Sequence, residues 1–251
     1  MTTTRARPLD LPRALAALRL LAADPDETSH VFTIIDALSH RAPDHLVGLF
    51  HRTAEGRRLM AERRDIVKVL ADREALRAMP PGSLAHAYLR FVESEGITAD
   101  GLVSASETGR LIDDADVELS FVSNRMRDTH DLWHAVTGYR GDVLGEAALL
   151  AFNVPQTRNP GIAAIVLLGF YRVQKLSAVG TLLDGLVRGI RAEYLPAVDW
   201  EALLPLPLEE VRARLKLGEP PVYEPVRTSQ LRAEGKLGPR TMVSAPIAAA
   251  A

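Results

Sequence analysis

The chain has 251 residues, of which 47% are hydrophobic and 5% aromatic, with a formal net charge of −2. That charge gives no reason to expect a nucleic-acid partner. Because cysteine is absent, disulfides and thiolate metal sites are excluded, and any metal must be held by His, Asp or Glu. The length suits one large domain, the apolar content can fill a core, and abundant Ala, Leu and Arg favour helix. The expected fold is all-α: a single-domain multi-helix bundle over residues 1–220, with an extended or disordered tail over 221–251.

Residues 1–21 are Arg-rich but lack the apolar centre and small-residue cleavage site of a secretory signal. A transit peptide is one reading. The simpler one is that residues 11–22 are the first amphipathic helix of a bacterial protein. Asp24-Pro25-Asp26-Glu27-Thr28 reads as a turn, and Val31, Ile34, Ile35 and Leu38 follow at helical spacing. His40, His45 and His51 have no carboxylate at a telling interval and read as surface or capping residues. The Arg-rich stretch 55–76 carries an apolar stripe of Leu59, Ile66, Val69 and Leu70, so its arginines read as a solvated face. Ser83 can cap a helix bearing His86, Tyr88, Phe91 and Val92 that stops at Gly96; His86 reads as a hydrogen-bonded core histidine.

Asp113, Asp114 and Asp116 supply acid where a helix N-terminus favours it, and one helix is expected from about residue 117 to about 137. At about 100° per residue, His130, Asp131 and His134 fall on one arc of that helix, so three metal-competent side chains converge. Glu146 is too far along to share the helix. Gly138 and Gly141 can turn the chain, and Asp142 can cap a second helix. His134 lies four residues before Gly138 and Glu146 four after Asp142, so an antiparallel hairpin sets them at one height. Arg127, four residues before Asp131, offers that carboxylate a partner along the helix, and Asp131 reads either as a ligand or as a residue that orients a histidine.

Asn159-Pro160 caps and opens an almost wholly apolar helix. The run over residues 161–171 is shorter than the roughly 18–20 residues that cross a bilayer, so no spanning segment is expected. Residues 177–194 carry Gly180, Gly185 and Gly189. Helical glycine is costly, so something approaches closely: a packed neighbouring helix, or a lipid tail in a groove. Pro207 opens a short helix ended by Gly218.

The spacing His130-Asp131-x-x-His134-x(11)-Glu146 is flanked by Phe121-Val122, Arg125, Arg127, Asp128, Gly145, Phe152, Gln156 and Thr157. With Pro81-Gly82-Ser83-Leu84, Ala87-Tyr88 and residues 207–212, it resembles the Coq4 family of ubiquinone-biosynthesis proteins over residues 25–220. Leu150-Ala151-Phe152-Asn153 departs from the Lys-Trp-Phe-Glu many members carry there. The resemblance implies an all-helical metal-binding protein on a membrane surface, linked to oxidative decarboxylation at C1 of a polyprenylated 4-hydroxybenzoate-derived precursor and to organising the other quinone-biosynthesis proteins. It implies the cytoplasmic side of a bacterial inner membrane, or the mitochondrial inner membrane in a eukaryote, and allows a homodimer.

In this reading His130, His134 and Glu146 hold a divalent ion, with Zn²⁺ favoured for such a donor set. Asp131 is a ligand or catalytic base, Arg125, Arg127 or Arg140 meets the ring carboxylate, and Gly185 borders the tail. A metallopeptidase would place Glu directly after the first histidine, where Asp131 stands. A His-Asp phosphohydrolase needs a further histidine and a distant aspartate that the sequence does not identify. A lipid-binding scaffold without catalysis would carry nearly the same sequence.

Overall fold

The structure, a computed structural model, describes residues 8–27, 29–39, 42–108, 116–172 and 176–237. Among them the chain forms α1 (Leu11–Ala23), α2 (Ser29–Leu38), α3 (Ala42–Arg52), α4 (Ala54–Glu62), α5 (Ile66–Ala71), α6 (Arg73–Arg77), α7 (Leu84–Ser94) and α8 (Ala99–Thr108). There follow α9 (Val117–Asp128), α10 (His130–Thr137), α11 (Val143–Thr157), α12 (Pro160–Arg172), α13 (Leu176–Arg191), α14 (Trp200–Leu203), α15 (Leu208–Arg214) and α16 (Thr228–Ala233). No strand occurs among the described residues; one isolated bridge joins Ser83 to Pro207. The all-α expectation holds.

Many of these helices start where a short polar side chain can accept from an orphan backbone N–H. Thr53, Asp65, Asp72, Ser83, Asp116, Asp142 and Asp199 all do so. One expected helix is divided, and the Arg-rich stretch is built from three short helices. The stretch 55–76 breaks at Arg63, which takes a left-handed φ of 49°, and again at Asp65 and Asp72. Its arginines are not all a solvated face, because Arg58 and Arg64 both reach the carboxylate of Asp199. The expected helix 117–137 breaks at Thr129, whose ψ of 0° departs from helix while its hydroxyl donates to the Arg125 carbonyl at 2.9 Å. His40, Asp113 and Asp114 lie outside the described residues.

The main core gathers Leu70, Leu84, Tyr88, Val92, Leu132, Trp133, Val136, Leu149, Phe152, Leu182, Trp200 and Leu204, all with at most 1% exposure. Burial of this many large side chains is the dominant stabilising term. Helices α7 and α10 pack against each other, and α11 lies along α13. A smaller cluster of Ala17, Leu21, Ile34 and Ile165 joins α1, α2 and α12. The segment after residue 220 is extended through Arg227 and then forms α16, with hydrogen bonds from Tyr223 and Val226 to Asp142. It continues the fold up to residue 237; residues 238–251 lie outside the description.

Candidate metal centre

Helix α10 stops at Gly138, whose φ of 86° is left-handed and whose N–H donates to the His134 carbonyl at 2.9 Å. Glycine takes that conformation without the cost other residues meet. Asp142 then opens α11 by accepting from the N–H groups of Leu144 and Gly145. The turn returns the chain, as the spacing predicts, and sets Glu146 opposite both histidines. Glu146 Oε1 lies 3.1 Å from His134 Nε2, and Oε2 lies 3.7 Å from His130 Nε2.

These three side chains form a group whose candidate ligand atoms all lie within 4.8 Å of one another. A tetrahedral ion with bonds of about 2.1 Å separates its ligand atoms by roughly 3.4 Å, so the observed spacing suits one shared ion. The tautomer points the same way. His134 Nδ1 lies 2.9 Å from the Tyr139 carbonyl, to which it can only donate, so a neutral ring presents a bare lone pair at Nε2. That nitrogen is buried without a hydrogen-bond partner, yet a carboxylate oxygen faces it at 3.1 Å. Two acceptors at that distance require a proton or a cation between them. The three side chains are thus a donor set that could hold a metal ion.

The surroundings hold this geometry. Phe91 of α7 stacks on the His134 ring at 4.7 Å with 9° between planes, and the His130 and His134 rings meet edge to face at 4.7 Å. Burial pushes the Glu146 carboxyl up, but the charges of His134 and His130 outweigh it and hold the group at about 2. For His130, burial pulls the ring down, while Asp131 and Glu146 overcome it and leave the pKa raised. The two shifts describe the Glu146 carboxylate and the His130 imidazole, each held in its charged form by the neighbouring charge.

Asp131 stands apart from the group of three. Its Oδ1 lies 3.6 Å from His130 Nδ1, on the opposite side of the ring from Glu146, where it can orient the imidazole. Arg125 is 2% exposed and engaged by Glu201 through two bonds of 3.0 and 2.6 Å. Arg127 donates to Asp128 at 2.9 Å and lines the cavity beside the site. Arg140 is exposed, and its backbone N–H donates to the Tyr223 hydroxyl. Of the three arginines, only Arg127 borders that cavity. His86 bonds the Arg77 carbonyl through Nε2 at 3.2 Å, so it is hydrogen-bonded as expected, but it is half-buried at the edge of the fold and not a core histidine.

The cavity, partly open to solvent, has a volume of about 2240 Å³. His130, Asp131 and Glu146 lie on its wall with Arg127 and Asp128, and Val31, Phe32, Ile35, Leu150, Ile162, Ile165 and Leu168 form an apolar region along α2, α11 and α12. Burial raises the Asp128 carboxyl above its ordinary value, against the opposing charge of Arg127. The glycine stripe of α13 lies elsewhere. A Cβ at Gly185 would meet the Ala148 carbonyl oxygen at 2.4 Å, and one at Gly189 would meet that of Phe152 at 2.2 Å. Gly185 is thus a helix-packing residue against α11 and not a border of the cavity, which corrects its expected role. Sequence reasoning missed Phe91, the Tyr139 carbonyl and the segment after residue 220; the interval between Gly138 and Asp142 is the one local signal that a backbone group would meet His134.

A profile of the family described as coenzyme Q (ubiquinone) biosynthesis protein Coq4 matches residues 12–221. The mitochondrial ubiquinone biosynthesis protein COQ4 of Podospora anserina is 32% identical over 168 residues, covering 66% of this chain and 54% of that protein. The mitochondrial COQ4 homolog of Bos taurus is 29% identical over 227 residues, covering 86% of this chain and 83% of that one. The chain spans a little over half the length of the fungal relatives, 54% and 56% for Podospora anserina and Lachancea thermotolerans. A crystallised protein from Nostoc punctiforme, provisionally assigned to ubiquinone biosynthesis, shares the fold with a TM-score of 0.63 at 22% identity, over 84% of this chain and 100% of that one. With the family profile covering most of its length and the hairpin built as its motif requires, the chain belongs to the Coq4 family of ubiquinone-biosynthesis proteins.

Proposed function

We propose that this protein acts on a polyprenylated 4-hydroxybenzoate-derived precursor of ubiquinone, in the oxidative decarboxylation at ring carbon C1 with dioxygen as the external oxidant, the hydroxybenzoate and O₂ giving quinone, CO₂ and water, and with a divalent ion held by His130, His134 and Glu146. The observation that carries the reading is the cavity, which joins His130 and Glu146, with His134 buried behind them, to an apolar region far larger than an aromatic ring requires. An acidic aromatic head and a long isoprenoid tail match its two ends. When bound, the ion supplies charge stabilisation at the head group, and zinc is the first candidate for a donor set of two imidazoles and a carboxylate. His134 is fixed in one tautomer by Tyr139 and held flat by Phe91. Asp131 orients His130 and, from the cavity wall, can accept a proton from the head group. Of Arg125, Arg127 and Arg140, only Arg127 borders the cavity, which supports it as the partner of the ring carboxylate.

An exposed apolar face supports action at a membrane surface. Leu176, Leu183, Val187 and Ile190 share one side of α13 and are 87%, 48%, 40% and 66% exposed. Tyr171, at the end of α12, is 87% exposed and also lines the cavity. Among the described residues, no helix is long and apolar enough to cross a membrane. Deleting the gene is expected to lower cellular ubiquinone and accumulate a prenylated precursor that keeps its C1 carboxylate, with Glu146→Ala failing to restore it. Normal quinone in the deletion strain would overturn the assignment. The size of the cavity equally supports a non-catalytic carrier that presents the precursor to other biosynthetic proteins. Turnover of a prenylated hydroxybenzoate by the purified, zinc-loaded protein separates the two.

A further inference from the structure

Part of the cavity wall is built by a segment that follows the family match, which ends at residue 221. Its first half is tied to the metal hairpin. Tyr223 donates its hydroxyl to Asp142 Oδ2 at 2.9 Å, the Val226 N–H donates to Asp142 Oδ1 at 2.8 Å, and Val143 returns a bond to the Val226 carbonyl at 2.9 Å. Asp142 is 2% exposed, so these bonds are shielded from water. Gly145 makes room for them, since a Cβ there would stand 2.4 Å from the Tyr223 hydroxyl.

The second half is held differently. Helix α16 buries none of its residues. Arg232 pairs with Asp24 at 2.7 Å and Asp26 at 3.0 Å, in the turn between α1 and α2, and Thr228 also bonds Asp26. These partners are 15% to 36% exposed, so salt and water weaken the attachment. The opposing wall is different again, because α1, α2 and α12 share the buried cluster of Ala17, Leu21, Ile34 and Ile165. Parting those helices would expose a whole buried apolar cluster, whereas releasing residues 227–237 breaks a few part-buried ion pairs and uncovers one buried apolar side chain, Leu237.

We propose that residues 227–237 form a hinged wall of the cavity, which turns on the Asp142 anchor and releases at the Arg232 latch to admit the apolar tail of the ligand. The proposal rests on the reading that the cavity takes an isoprenoid tail. The chain has no cysteine, so an Asp26→Cys/Thr228→Cys variant of the full chain carries a single pair that can be closed and reopened. The probe is a dansyl-labelled farnesyl acid followed by stopped-flow fluorescence. Oxidation is expected to slow its association at least about ten-fold, the scale of a few charge-assisted bonds, and reduction to restore it. Separately, Arg232→Glu is expected to speed amide exchange over residues 229–233 in the absence of any probe, while Leu149 and Phe152 of α11 stay protected. Unchanged association in the oxidised form, or unchanged exchange in Arg232→Glu, overturns the hinged wall and leaves the cavity reading intact. If no form binds the probe, the cavity reading falls and the hinged wall falls with it.

Discussion

Two imidazoles and one carboxylate become a site here because each ring is given one outward nitrogen. For His134 the Tyr139 carbonyl takes the Nδ1 proton, and Nε2 is left for Glu146 or an ion. Replacing His134 with Ala is expected to abolish stoichiometric zinc, read by elemental analysis after dialysis. Asp131→Asn keeps a hydrogen-bonding partner for His130, so it should retain the ion with affinity lowered about ten-fold, the scale of a lost orienting group. Loss of all zinc in Asp131→Asn would make Asp131 a direct ligand. Arg125→Ala belongs to a different class. It leaves Glu201 uncompensated in a buried pair, which typically costs about 3–5 kcal/mol, so it should lower the melting temperature without a specific effect on metal affinity.

Between helices, the close approach of α13 to α11 is decided by glycine. Gly185 and Gly189 sit where a methyl group would overlap a carbonyl oxygen of α11, while Gly180 on the same helix has nothing within 4 Å. Gly185→Ala is therefore expected to destabilise by about 1–3 kcal/mol, and Gly180→Ala to stabilise by up to about 1 kcal/mol, both read by urea unfolding. Equal effects at the two positions would refute the packing account. A second inter-element tie is Asp199, which caps α14 and receives Arg58 and Arg64. Burial pushes its carboxyl up, but the bonds from Arg64 and Arg58 prevail and hold it at about 2. The folded value is below the unfolded one, so this stabilisation is present above about pH 4 and is lost as pH falls towards 2. Asp199→Asn should remove that part of the acid dependence, an effect of at most about 2 kcal/mol, reduced because Arg58 is half exposed.

For the molecule as a whole, the apolar face of α13 and the end of α12 is the feature a monomer in water does not account for. If it meets a bilayer, Leu183→Glu/Ile190→Glu should reduce flotation with phospholipid vesicles several-fold while leaving the melting temperature within about 1 °C, because both side chains are exposed. If the double variant floats as well as the parent and instead changes the sedimentation coefficient, the face joins two copies of the chain. Either outcome is read on the full chain under the same conditions, and neither depends on the metal.

The motif from His130 to Glu146 was legible in the sequence because it is local: helix period, a glycine stop and an aspartate cap sufficed to place Glu146 opposite His134. Capping also located the starts of α7, α11 and α12, and the apolar fraction with abundant helix formers determined the all-α class. Other features were not legible, most of them because they rest on partners distant in the chain. Thr129 divides α9 from α10 through a local hydroxyl bond that the helical period did not disclose. Arg125, Arg58 and Arg64 read as free cations until Glu201 and Asp199 came within reach, about 76 and 135–141 positions along the chain. The glycines of α13 signalled close approach without saying to what, since only packing could choose between a helix backbone and a lipid groove. The cavity belongs to no single segment; its walls come from helices at both ends of the chain, and long-range packing alone decides which faces meet.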